Sequence, residues 1–534
     1  METDLRGAPA WERTFLGHLW DAALEVERLH ALQRGVAGLE RRIPEEDTPS
    51  RLAFVIEKGP WCTAPAVRGD AACSAVTPAV PRSTAVTPAG LACSALDAGP
   101  DATALGAPFT AVVRRPDGGL AAIPFPQAWP EASAATARDL RLAAAALPAD
   151  EAGLRAYLEA AATAFETNDW YAADEAWARA AGSRFYLRVA PDEVYWEPCA
   201  LKAGYGLTLA RTDAASKAWQ ARLEPVKNDL ERELARLAGP PYQARAVAFA
   251  LPEFIDVILN AGDARHPRGA VIGQSLPNFG PVANEGRGRT VAMVNLYDDA
   301  ASRARARARA ASVLCPATMK AHGDDRDTAV LGTLLHEAAH NLGPSAEYAV
   351  GGKTAPQLFG GPVASMLEEL KAQTSALHLT GWLAARGVID PGLAARSRLS
   401  DLAWAFGQSS LGVRDQDGEL SAYPALATVQ LGFLLSERAL VWRGDARAAD
   451  GVERGCMEVD AKRWPAAVEK LEAAVLRIQG ARRRGRREGA GGALAGAARG
   501  AHRRHHRALP ARPADHVPVR DPVLITPPIR LEPA

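Results

Sequence analysis

The clearest chemistry in the chain sits in five residues, His336-Glu337-Ala338-Ala339-His340. On a helix, positions i and i+4 share one face, so both imidazoles can reach one metal ion. Glu337 is then placed to take a proton from a water polarised by that ion. Zinc suits such nitrogen ligands and lowers the pKa of its water toward about 7. A catalytic zinc needs a third protein ligand and an open position. Glu369 is the best candidate, on a helical pattern over 365–377 whose core stripe is Met366, Leu370 and Leu377. Gln373, one turn on, can hydrogen-bond a ligand histidine and fix its tautomer. Glu368, about 100° around that helix, can do the same from another side. His378 reads as a core or surface residue.

These residues need helices to hold them. Val330, Leu331, Leu334 and Leu335 give the H-E-x-x-H segment an apolar face, with Asp327 or Thr328 as N-cap and Asn341-Leu342-Gly343-Pro344 as its stop. Helical spacing also covers 16–39, two or three helices in 133–180, and 214–237 with a break or kink at Pro225. A hairpin is expected over 109–124, turning at Pro116-Asp117-Gly118-Gly119, and strands at 185–189, 244–250 and 291–295. The run Arg303 to Arg309 reads as a solvated helix face.

The chain has 534 residues, 48% of them hydrophobic, which suits a large two-lobed protein with a sizeable core. Sixty-two basic and sixty-two acidic side chains cancel, which argues against a dedicated nucleic-acid or membrane-surface protein. No apolar run is long enough to span a membrane, and the charged N-terminus does not read as a signal peptide. The six cysteines are scattered without C-x-x-C, so neither a disulfide framework nor a zinc ribbon is expected, and a reducing cytoplasm is.

Two stretches differ from the rest. Residues 481–534 carry twelve arginines against four acids and no Phe, Trp or Tyr, and read as a disordered basic tail. Residues 62–108 are rich in Ala, Pro, Ser and Thr, have no aromatic residue, Lys or Glu, and hold three cysteines. They read as a long surface loop. Arginine-only basic usage with Ala, Gly and Pro also suggests that both stretches are translated out of frame.

With H-E-x-x-H and the Glu368-Glu369 pair in place, three further segments complete a resemblance. Glu193-Val-Tyr195-Trp-Glu197-Pro198, Gly273-Gln-Ser275-Leu-Pro277-Asn278 with Glu285-Gly286, and Asn168-Asp169-Trp170-Tyr171 with Asp174 follow in the order of the dipeptidyl peptidase III family of zinc peptidases. The resemblance covers about residues 52–61 and 109–480 and is that of a divergent member with a five-residue H-E-x-x-H. It implies one zinc on His336, His340 and Glu369, with Glu337 as general base. It implies that Glu193 and Asn278 hold the free amino group of a short peptide and that Tyr195 donates to the oxyanion. Read without it, Tyr195 is a core tyrosine and Asn278 a turn residue. Three positions depart from the family: Ser275 stands for an amine-binding Asn, Gln373 for an acid, and Tyr423 for a histidine that serves the transition state.

The expected fold is α+β, mainly helical and two-lobed, with a helical catalytic lobe, a mixed α/β lobe and a cleft between them. The expected segments are 1–61 (helical), 62–108 (loop), 109–300 (mixed lobe), 301–480 (helical zinc-binding lobe) and 481–534 (tail). The expected function is zinc-dependent hydrolysis of short peptides, releasing N-terminal dipeptides, by a cytoplasmic monomer or weak oligomer without nucleic-acid or membrane partners. The alternative is a zinc- and peptide-binding protein with little or no activity.

Overall fold

The computed structural model describes residues 7–62, 70, 72–96, 99–194, 196–213, 215–247, 251–264, 273–345, 348–359, 361–414 and 420–481. Over these residues the protein is α+β and mainly helical. It divides into two compact units, Met1–Asp213 with Glu253–Met293, and Ala214–Pro252 with Val294–Ala534. No described helix is long and apolar enough to cross a membrane. Tyr195 and the tail from 482 onward lie outside the described residues.

The first unit is built on a five-stranded sheet. Before it comes the expected hairpin, β1 (Thr110–Arg114) paired with β2 (Leu120–Pro124). Its turn needs Gly118, whose φ is +86°, and Asp117 Oδ1 accepts from Gly119 N at 2.9 Å. The sheet consists of β3 (Phe185–Glu193), β4 (Gly204–Thr212), β5 (Glu253–Gly262), β6 (Gly273–Leu276) and β7 (Arg289–Met293), in the order β3-β4-β5-β7-β6. Only β5 and β7 pair in parallel. Every residue of β3 is buried. Helix Ala10–Gln33 lays Phe15, Leu19, Val26 and Leu29 inward, packing on β4, β5 and helix Pro130–Ala146. Helices Ala152–Thr167 and Trp170–Arg179 bring the number over 133–180 to three, where two or three are expected.

The stretch 62–108 is not a bare loop. Leu96, Leu105 and Val112 form a small core, with Cys199 and Leu201 packed against it. Lys202 is fully buried and donates to Leu105 O, Ala107 O and Thr110 Oγ1 at 2.6, 2.7 and 2.9 Å. The expectation of unpaired cysteines is corrected too. Cys62 pairs with Cys73, Cys93 with Cys199 and Cys315 with Cys456, leaving none free. A frame-shifted segment would have no reason to supply a cysteine matched to Cys199. The bridges also remove the premise for a reducing compartment.

In the second unit, Ala215–Leu223 and Lys227–Ala238 are separated by a short 3-10 turn at Pro225, where the break is expected. Of the strand expected at 244–250, residues 244–247 are not strand, and 248–250 lie outside the described residues. Arg245 N donates to Glu231 Oε1 at 3.3 Å and Val247 N to Asn228 Oδ1 at 3.2 Å, so helix side chains take the place of a neighbouring strand. Helix Lys227–Ala238 packs on Trp464–Ala481, which draws 214–252 into this unit. Helices Ala300–Val313, Arg326–His340, Gly361–Ala385, Pro391–Ser409 and Ala422–Ser436 surround a core that includes Leu314, Leu370, Leu377, Leu402, Leu426, Leu434 and Leu471. β8 (Leu440–Arg447) and β9 (Arg454–Val459) form an antiparallel pair. Arg305, Arg307 and Arg309 are exposed on their helix, as the charge run suggests.

Candidate active site

Helix Arg326–His340 carries the H-E-x-x-H residues. Its N-cap is Asp325 rather than Asp327 or Thr328. Asp325 Oδ1 accepts from Thr328 N at 3.0 Å, and Oδ2 accepts from the Thr328 hydroxyl at 2.7 Å. Asp327 stays in the first turn, where an acid suits the helix dipole. The far end is held by a buried carboxylate. Glu231 accepts from Gly343 N at 2.7 Å and from the Tyr242 hydroxyl at 2.6 Å, and Gly343 has φ +64°. The helix therefore stops where the sequence places its Asn-Leu-Gly-Pro.

Helix Gly361–Ala385 packs on it and supplies the remaining polar groups. His336 Nε2 is 3.2 Å from Glu369 Oε2, and His340 Nε2 is 3.9 Å from the same oxygen. One ligand atom from each of the three residues falls within 4.8 Å of the others. The other ring nitrogens are engaged elsewhere. His336 Nδ1 is 3.3 Å from Gln373 Oε1, and His340 Nδ1 is 3.1 Å from Glu368 Oε1. With Nδ1–H donating to these oxygens, each Nε2 keeps a lone pair aimed at the Glu369 oxygen. Two imidazoles and a carboxylate so arranged match the donor set of a catalytic zinc, whose ligand atoms around about 2.1 Å from one ion sit some 3.4 Å apart in a tetrahedron.

Lys371 is fully buried and lies 2.8 Å from Glu368 Oε1, with Leu342 O at 3.3 Å. Burial works against the Glu368 charge, but His340 and Lys371 outweigh it and hold its carboxyl below the usual carboxylate range. Glu369 is held low likewise: burial opposes the charge, and His336, His340 and the Tyr423 hydroxyl outweigh it. Tyr423, in the first turn of helix Ala422–Ser436, thus joins the cluster through Glu369. Glu337 is half-buried on the same helix as the histidines. His378 does not join them; its Nε2 is 2.8 Å from Glu233 Oε1.

The first unit gathers a second polar group at the end of β3. Asn278 Nδ2 donates to Glu193 Oε2 at 3.1 Å and to Asp192 O at 3.0 Å. Beneath Glu193 lies a buried ion cluster. Arg188 donates through Nε to Asp192 Oδ2 at 2.8 Å and through Nη1 to Asp174 Oδ1 at 2.7 Å, and its Nη2 also meets Asp192. Burial pushes the Asp174 carboxyl up to about 6 even with Arg188 beside it. Ser275 is not part of this group. It is exposed, and its hydroxyl is 2.6 Å from Thr290 Oγ1. Gln274 takes the facing position, its Nε2 3.5 Å from Glu193 Oε1. Arg188 and Gln274 are the residues that sequence reading missed. Strand alternation was the available signal for Gln274, since neighbours on β6 must face opposite ways.

No known family profile matches the chain. It is 24% identical over 339 residues to "Nudix hydrolase 3" of Arabidopsis thaliana, a match that takes in 61% of this chain and 40% of that protein. The chain thus spans less than half the length of that relative. Among solved structures, it superposes on "DPP III from Caldithrix abyssi" with a TM-score of 0.79 at 21% identity, covering 96% of this chain and 95% of that one. It superposes on "dipeptidyl-peptidase III from Corallococcus sp. strain EGB" with a TM-score of 0.69 at 24% identity, covering 95% and 93%. Nearly full coverage at such low identity identifies an architecture: the chain has the fold of the dipeptidyl peptidase III structures.

Proposed function

We propose that the chain is a zinc peptidase of the dipeptidyl peptidase III family that releases N-terminal dipeptides from short peptides. The observation that carries this reading is the turning of both Nε2 atoms toward Glu369 by Gln373 and Glu368, on helices of a fold shared with dipeptidyl peptidase III structures. His336, His340 and Glu369 would hold the zinc, which when bound supplies a Lewis acid that polarises a peptide carbonyl and lowers the pKa of water. Glu337 takes the proton from the attacking water and returns it to the leaving amine. Glu193 receives the substrate's α-ammonium, and Asn278 steadies that carboxylate. Tyr195 donates to the developing oxyanion. Tyr423 holds Glu369 in place.

One observation favours a second reading. Tyr423 lies beside Glu369 at the position where the family resemblance places a histidine, and a tyrosine cannot act as a cation in the transition state. A protein that binds zinc and peptide with little turnover accommodates that. The deciding experiment incubates zinc-loaded protein with peptides of three to ten residues and follows products by mass spectrometry. Dipeptides from the N-terminus are expected, with Glu337→Gln slowing their release by a factor on the order of 10² to 10⁴. Internal cuts or single residues would reject the dipeptidyl specificity. No product from folded, zinc-loaded protein that still binds the peptides would establish the binding reading.

A further inference from the structure

Strand β6 presents two neighbouring polar side chains to different surroundings. Ser275 pairs across the sheet with Thr290 and is exposed. Gln274 turns to the face where Glu193 lies. Its Oε1 is buried and has no hydrogen-bond partner among the described residues. The amide orientation follows from charge: Nε2 faces the Glu193 carboxylate at 3.5 Å, and reversing the amide would set oxygen against oxygen. Gln274 and Glu193 border a small cavity of about 20 Å³, also lined by Asp192, Gly204, Asp263 and Arg188, whose guanidinium is paired with Asp192 and Asp174. That volume suits one group the size of water, which is also the size of an ammonium. Gly204 lets the Asp263 and Trp196 side chains close against its backbone, because a Cβ there would lie 2.7 Å from both Asp263 Oδ2 and Trp196 Nε1.

We propose that Gln274, rather than Ser275, supplies the neutral acceptor for the substrate's α-ammonium, with Glu193 as the charged one. The inference rests on the peptidase reading. A buried ammonium has three N–H donors to satisfy, and a carboxylate alone leaves donors without partners. The carboxamide oxygen of Gln274 borders the same cavity and lacks a donor. The amine-binding function thus moves one residue along the strand, and the loss of Asn at 275 does not empty the site.

The test uses full-length, zinc-loaded protein. Calorimetry on the Glu337→Gln protein measures binding of tetra-alanine and of its N-acetylated form. Gln274→Leu is expected to weaken binding of the free-amine peptide about tenfold or more, with zinc content and melting temperature unchanged. Ser275→Ala is expected to change nothing, and Gln274→Glu to keep discrimination against the acetylated peptide. Weakening by Ser275→Ala but not by Gln274→Leu overturns the inference. Turnover separates it from the reading beneath it. Dipeptide release with an unchanged KM in Gln274→Leu sinks the inference alone. A wild-type protein that neither cleaves nor prefers the free amine sinks both.

A different observation carries a second inference. All six cysteines are paired, and Cys199 lies in the 194–203 connection that follows Glu193. Its partner Cys93 belongs to the 62–108 stretch, where Leu96 and Leu105 share a small core with Val112 of β1. We infer that the chain works in an oxidising compartment and that Cys93–Cys199 staples the connection beside the Glu193 group. Protein directed to an oxidising periplasm should show no reactive thiol when denatured without reductant, and protein made in a reducing cytoplasm should give less folded product. Equal folded yield with six reactive thiols overturns the compartment. The double variant Cys93→Ser with Cys199→Ser should open 62–108 to limited proteolysis while zinc content stays the same. Wild-type resistance to proteolysis overturns the staple.

Discussion

The two units hold their polar groups by different means. In the second unit, residues 368–373 of one helix serve the whole histidine pair. Glu369 meets both Nε2 atoms, Glu368 orients His340, Gln373 orients His336, and Lys371 fixes Glu368. In the first unit, the Glu193 group draws on Asp174, Arg188, Asp192, Gln274 and Asn278, which span about a hundred residues of sequence. The foundations differ as well. Beneath Glu193 sits an arginine between two carboxylates. Behind the metal helix, Glu472 accepts from the hydroxyls of Thr374 and Ser375, and burial pushes its carboxyl up to about 7. Helical spacing brings supports three and four residues apart onto one face, whereas a strand end must recruit them from other strands and helices.

The largest expected effect breaks the ionic foundation. Arg188→Met leaves Asp174 and Asp192 buried together without a cation. Removing one member of a buried ion group costs about 3–5 kcal/mol. Urea unfolding at pH 7 should show a loss of that size, with zinc content unchanged in whatever remains folded. An equally stable variant would mean that the first unit does not depend on its charge cluster.

What the sequence made legible follows the same division. The i, i+4 histidines, Glu369, Gln373 and Glu368 were readable because helix geometry converts spacing into direction. The cap lies two or three residues before the candidates the sequence offers because Arg326 and Asp327 are themselves helical, and the Asp325–Thr328 contact shows where the helix begins. β4 and β5 went unread: both are buried on much of both faces, so polar alternation is weak. Motif position points to Ser275, but it does not reveal which way a strand residue faces. The cysteine pairs join residues 11, 106 and 141 apart, and connectivity cannot be deduced from spacing.

A second test sharpens the contrast between charged and neutral foundations. Burial raises the Glu472 carboxyl from its ordinary 4.5 to about 7, with the Ser375 and Thr374 hydroxyls opposing the rise. The folded state therefore keeps this proton while the unfolded chain loses it between about pH 4.5 and 7. This contribution to stability is complete below pH 4.5, falls as pH rises, and is gone above about 7. The slope is at most about 1.4 kcal/mol per pH unit, or on the order of 3 kcal/mol across the window. Glu472→Gln should flatten that part of the stability profile measured by thermal melting from pH 4.5 to 8. A profile that keeps its fall in the variant would assign it to another group.

The smallest effect tests whether the helix supports are tuned one to each histidine. Glu368→Gln keeps an acceptor for His340 Nδ1–H but removes its charge, and leaves buried Lys371 without its carboxylate. Such orienting partners are worth about 10–100-fold in metal affinity. Competition against a chelator should show a loss in that range. Gln373→Glu should move the other way, because a carboxylate on His336 Nδ1–H makes the ring a stronger donor at Nε2. Combining the two separates the supports: independent partners give changes that add in free energy, whereas a shared network gives less. Lys371 touches Glu368 but not Gln373 among the contacts seen, so additivity is the expected result. A double variant far from the sum would mean that the two histidines are positioned together, through the ligand carboxylate they share at Glu369.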